Sequence, residues 1–120
     1  MTIDNDKQQR AKFLSRVVSK EIKHLKYSTS KLFKDEFSLE KAKTLSSDEE
    51  LAEQLEAFTS RFCRLQDTIG DKLLPAWLDI LNEKTKVSID NFDKAEKIGV
   101  LSSVDRWLEL RQLRNQMVHE

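Results

Sequence analysis

The sequence has little with which to build a sheet. Two glycines and one proline in 120 residues leave almost nothing for hairpins or tight turns. A single cysteine, Cys63, cannot form an intrachain disulfide and fits a reducing compartment. Charge of one sign is lacking as well, with 21 Lys and Arg against 21 Asp and Glu, so no global field draws in nucleic acid and any such contact must be local. No uncharged apolar run approaches the ~18 residues of a membrane span, and residues Met1 to Lys12 are charged where a signal peptide needs its apolar stretch. A soluble, cytoplasmic protein is expected. The two glycines lie too far apart for a phosphate loop, and two histidines and one cysteine are too scattered for a metal site or a nucleophilic triad. Neither metal nor cofactor is expected.

What is present is a surplus of good helix formers, Leu, Lys, Glu, Gln, Arg and Ala, with apolar residues at helical spacing. The length suits one core, so residues 1–120 read as a single domain. A first helix is expected from about Asn5 to Phe33, with Ala11, Leu14, Val18, Ile22, Leu25, Thr29 and Leu32 on one stripe. His24 and the run Lys20, Lys23, Lys26, Lys31 and Lys34 read as a solvated face, with RNA phosphates as the alternative partner of the lysines. The stretch Lys34 to Ser46 reads as a loop with at most a short helical turn, anchored by Phe37, Leu39 and Leu45.

Ser47 and Glu50 form a capping-box pattern that opens a second helix, and Asp48 and Glu49 suit its positive end. Leu51, Leu55, Phe58, Phe62, Leu65, Ile69, Leu73, Ala76 and Ile80 then make one stripe, with Pro75 expected to kink the helix. Leu74, Trp77, Leu78 and Leu81 fall outside that stripe. Either this helix is central to the bundle or the extra arc is a dimer interface. Cys63 reads as a small buried thiol. A third helix is expected from Ser88 to Gly99, and a fourth, capped by Ser102 or Ser103, runs to the end with Leu110, Leu113 and Met117 at the centre of its core stripe. Short links between antiparallel helices predict an all-α, antiparallel four-helix bundle.

The last helix carries the chemistry. Arg114 falls inside the apolar arc between Trp107 and Leu110, where a guanidinium must reach solvent or meet an acceptor. Arg111, Asn115 and His119 follow one another at i, i+4 steps on the adjoining edge. The run Arg114-Asn115-Gln116-Met117-Val118-His119 resembles the motif of the HEPN family, an arginine followed by four to six residues and then a histidine, often as Arg-Asn-x-x-x-His, on the last long helix of a small bundle. The likeness is to HepT-like toxins and to helical partners of nucleotidyltransferases, and it takes in most of the chain, including the helix around Phe62, Leu65 and Asp67.

That resemblance implies a metal-independent endoribonuclease that works as a homodimer beside a cognate nucleotidyltransferase antitoxin. His119 would be the general acid and base, Arg114 would stabilise the phosphorane, Asn115 would hold geometry, and Arg111 would add a phosphate contact. A non-catalytic subunit that presents nucleic acid or a substrate to the nucleotidyltransferase is the alternative, and a helical module whose motif residues only knit a dimer is a third. Residues five apart on a helix point ~140° from each other, so Arg114 and His119 are expected to meet in a groove between protomers. Many members also carry a tyrosine two positions after the histidine, which a partner nucleotidyltransferase adenylates in some pairs. Tyr27 is the only tyrosine in these 120 residues, so the expectation is either further chain beyond Glu120 or a protein without that regulation.

Overall fold

The structure is a computed structural model that describes residues 2–81, 96 and 104–119, with side chains described at 5–81, 96 and 105–116. Helices α1 (Thr2–Leu32), α2 (Leu39–Lys43), α3 (Glu49–Thr68), a π-helical turn (Ile69–Leu73), α4 (Leu74–Ile80) and α5 (Val104–His119) follow in that order. The fold is all-α, with no strand among the described residues. The expected helix Ser88 to Gly99 and the caps Ser102 and Ser103 lie outside the described residues.

α1 packs antiparallel to α3 and α4, as four pairs in register show: Phe33, just past α1, against Phe58 of α3, Ser28 on Arg61 and Glu21 on Thr68 of α3, and Lys7 on Asp79 of α4. The inner face of α1 differs from the expected stripe. Ala11, Leu14, Val18 and Leu32 are buried, but Ile22 and Thr29 are exposed, and Glu21 and Ser28 point inward in their place. Positions 11, 14, 18, 21, 25, 28 and 32 advance by three and four in strict alternation, the heptad of two helices wound about each other. Polar residues fit two of those places because α3 answers them. Thr68 Oγ1 donates to Glu21 Oε2 at 3.1 Å, and Arg61 Nη1 donates to Ser28 Oγ at 2.7 Å.

The link between α1 and α3 holds the short turn expected of it. Ser38 caps α2 by accepting from the Lys41 N–H, and Phe37 meets Phe33 edge to face, but Leu39 is 75% exposed and anchors nothing. α3 begins one residue later than its pattern suggested. Asp48, not Ser47, is the N-cap, its Oδ1 accepting from the Leu51 N–H at 3.0 Å, while the Ser47 hydroxyl donates back to the Thr44 carbonyl. A carboxylate suits the positive end of the dipole better than a hydroxyl does.

Pro75 leaves its mark upstream. Lacking an N–H, its ring crowds the carbonyl four residues back. The chain widens into the π turn, in which the Leu74 N–H reaches Ile69 O, five residues back, and Pro75 then sits in the first turn of α4. The helix runs on through the turn and keeps two covered faces. One meets α1; the other buries Leu74 and Leu78 against Trp107 and Leu108 of α5. For Leu74 and Leu78, then, the central-helix alternative describes the packing. Trp77 and Leu81 remain about half exposed.

Candidate functional site

α5 lies antiparallel to α3 and α4. Trp107 and Leu108 sit against Leu74 and Leu78, Arg111 meets Asp71, Arg114 meets Asp67, and Cys63 Sγ comes within 4.0 Å of the Arg114 carbonyl. The inner face of α5 therefore runs through positions 107, 108, 111 and 114. This corrects the expected stripe: Leu110 is half-buried, and Leu113 is 47% exposed. Met117 has no described side chain. The helix is turned this way because α3 and the π turn offer carboxylates opposite it. Two guanidiniums paired with Asp67 and Asp71 can lie at a helix interface where leucines are expected.

Arg114 finds the acceptor its position demands. Its Nη2 donates to Asp67 Oδ2 at 2.7 Å, and its Nη1 donates to Asn115 Oδ1 at 3.1 Å. The short bond from Asp67 pushes the guanidinium further up from an already high value, so Arg114 is a permanent cation. Arg111 donates from Nη2 to both oxygens of Asp71, at 3.0 and 3.1 Å, and its Nη1 lies 3.8 Å from Asp67 Oδ1. Asp67 is thus shared by the two arginines. Arg114 Nε is sealed from solvent and has no hydrogen-bond partner.

Of the four residues singled out in the sequence, the structure joins Arg114 directly to Asn115 and joins Arg111 to them through Asp67. The backbone of α5 continues helically to His119, whose side chain lies outside the described residues. Asp67 and Asp71 were missed as site residues. Asp67 alone leaves a trace in the sequence, a carboxylate inside the stripe Cys63, Asp67, Gly70, Leu74 and Leu78 that calls for some cation, and Asp71 falls outside that stripe.

Cys63 is buried beneath this network. Burial pushes its thiol up, with the Arg114 charge pulling it down and the Asp67 charge adding to the rise. The resulting thiol is a poor nucleophile. Among the described residues no group of three or more His, Cys, Asp or Glu side chains could hold a metal ion, and no helix is long and apolar enough to cross a membrane.

The arrangement presents two fixed cations and two carboxylates on one helix junction. It can hold a guanidinium in a set direction, and it can receive a phosphate only in competition with Asp67 and Asp71. Compared with known proteins, the chain matches no family model, no curated protein and no solved structure.

Proposed function

We propose that this chain is a HepT-like HEPN protein of a toxin–antitoxin or nucleotidyltransferase pair, acting as a homodimeric, metal-independent endoribonuclease. The observation that carries the reading is the state of Arg114. Its head is held between Asp67 and Asn115 on a helix that continues to His119, in the order Arg-Asn-x-x-x-His. A guanidinium fixed by its neighbours loses little entropy on meeting a phosphate, and it supplies the charge that a pentacoordinate phosphorane needs.

In this reading an imidazole of His119 takes the proton of a ribose 2′-hydroxyl, that oxygen attacks the adjacent phosphorus, and the leaving 5′-oxygen receives a proton. Arg114 faces the developing charge, Asn115 keeps the guanidinium turned toward it, and Arg111 supplies a second phosphate contact. The ~140° between Arg114 and His119 on one helix makes a second protomer part of the reaction. Exposed Trp77, Leu81 and Leu113 offer apolar surface for that contact.

A second reading keeps the fold and drops the cleavage: the chain binds RNA or another substrate and presents it to a nucleotidyltransferase. The ion pairs favour it, because Asp67 and Asp71 already balance the charge of Arg111 and Arg114. Incubation of purified protein with RNA in the presence of EDTA separates the two. Cleavage by wild type, lost in His119→Ala and in Arg114→Lys, supports the nuclease. Binding of RNA or of a nucleotidyltransferase without any cleavage supports the second reading. If both substitutions abolish dimer formation and no ligand binds, the residues only knit an interface and both readings fall.

A further inference from the structure

The arginines of α3 and α5 differ in what meets their charge. Arg111 and Arg114 are each held by a carboxylate. Arg61 and Arg64, on α3, are in no ion pair with any described residue. Arg61 Nη1 donates only to neutral oxygens, the His24 carbonyl at 3.1 Å and the Ser28 hydroxyl at 2.7 Å, which fix its direction without cancelling its charge. The Arg64 side chain is exposed and makes no polar contact with a described residue.

Both line one cleft of about 260 Å³ between α1 and α3, together with Glu21 and His24 of α1. Arg61 and Arg64 are one helical turn apart, so both heads can reach one ligand. Glu21 is the only carboxylate among those lining residues. Its Oε2 is engaged by Thr68 and its Oε1 is sealed from solvent, so it offsets one cation and leaves the other uncompensated.

The cleft's position on α3 connects it to the last helix. At ~100° per residue, Arg64 stands ~40° from Thr68, which meets α1, and ~60° from Asp67, which meets α5. It therefore faces the strip between those two helices. Asp71, which holds Arg111, is seven residues on, within the π turn of the same continuous helix. A strand whose phosphate lies near Arg111 could extend along this strip to Arg64.

We infer that the His24–Arg61–Arg64 cleft is an anion site that takes a phosphate group, carried by single-stranded RNA or by a free mononucleotide. Two guanidinium forks, one prealigned by neutral acceptors and one free to close, suit the several oxygens of a phosphate. The RNA form of this inference rests on the proposed function; the phosphate site itself does not.

Fluorescence anisotropy of the whole chain with a labelled 12-nucleotide single-stranded RNA, at low salt, tests the site, with adenosine 5′-monophosphate as the competing probe. Arg64→Ala should weaken RNA binding about 10-fold and reduce the slope of log affinity against log salt by about 0.7, the loss of one phosphate contact. Glu21→Gln should tighten binding, since it removes the opposing charge and keeps an acceptor for Thr68. Lys43→Ala, on α2 and outside the cleft, should change little, and circular dichroism should show Arg64→Ala folded as wild type. Displacement of RNA by the mononucleotide, lost with Arg64, identifies a free nucleotide as ligand; binding of RNA alone identifies the strand. The site is refuted if wild type binds neither probe, or if Arg64→Ala and Lys43→Ala bind alike. His119→Ala keeps the tests apart, because it should abolish cleavage and leave Arg64-dependent binding intact.

Discussion

Leu78→Ala tests whether α5 is held on the rest of the molecule by the small apolar cluster at its start. Leu78 is wholly buried, and with Leu74 it meets Trp107 and Leu108. The substitution removes three carbons from that contact, a transfer loss of about 2.4 kcal/mol at ~0.8 kcal/mol each. A cavity that stayed open would raise the cost toward about 5 kcal/mol. Trp107 and Leu108 are only half-buried and belong to a helix that can settle inward, so the expected cost is near the lower end, about 3 kcal/mol. Urea unfolding followed by tryptophan fluorescence reads it directly, because Trp107 is at the contact. Leu39→Ala, at a position 75% exposed, should cost under about 0.5 kcal/mol in the same assay. Hydrogen exchange should also quicken along α5 and leave the α1–α3 seam protected. A cost below about 1 kcal/mol, or equal exchange in both regions, would refute the placement of α5.

Three further substitutions probe the frame. Asp48→Ala removes the α3 cap and should cost about 1 kcal/mol by urea unfolding, whereas Ser47→Ala should cost a few tenths. Ser28→Ala leaves the half-buried Arg61 short of one acceptor and should cost about 1 kcal/mol by the same measure, more than Thr29→Ala on the exposed side. Cys63 carries a raised thiol pKa, so its contribution to stability is complete below the ordinary thiol range. That contribution is lost as pH rises through the raised value, because the unfolded chain gives up the proton first. Urea midpoints should fall on the alkaline side in wild type and fall less in Cys63→Ala, and native Cys63 should alkylate slowly at neutral pH.

The class of fold was legible because it depends on local quantities. Scarce glycine and proline, sustained three- and four-residue spacing and an acidic first turn act within one segment, and α1 and α3 formed close to where those signals placed them. What was not legible depends on residues far apart in the chain. Reading apolarity alone put Ile22 and Thr29 inside. The molecule instead places Glu21 and Ser28 there, where Thr68 and Arg61, 47 and 33 positions away, hydrogen-bond to them. Apolarity alone likewise puts Leu113 in the core, from which it is displaced by arginines that Asp67 and Asp71 make tolerable. The demand of Arg114 for an acceptor could be read from one helix. The identity of that acceptor could not.

Asp67 ties the candidate chemistry to the packing. One carboxylate answers two arginines, so the direction of Arg114 depends on where Arg111 and Asp71 hold α5 against the π turn. That turn exists because Pro75 cannot donate and because Leu74 reaches back to Ile69. A change at Pro75 would therefore shift Asp71 relative to Asp67 and turn the guanidinium of Arg114 without touching it. Asp67→Asn keeps the shape of the site and removes the charge that Arg114 and Arg111 share. In a nuclease, this should free Arg114 toward a phosphate while loosening its aim, so RNA binding should tighten as turnover falls. In a purely structural clamp, Arg114 would lose its charged partner while Arg111 kept Asp71, RNA affinity would stay as in wild type, and α5 alone would loosen. The two outcomes differ in RNA affinity, tighter in one and unchanged in the other, which makes Asp67 more informative about Arg114 than Arg114 itself.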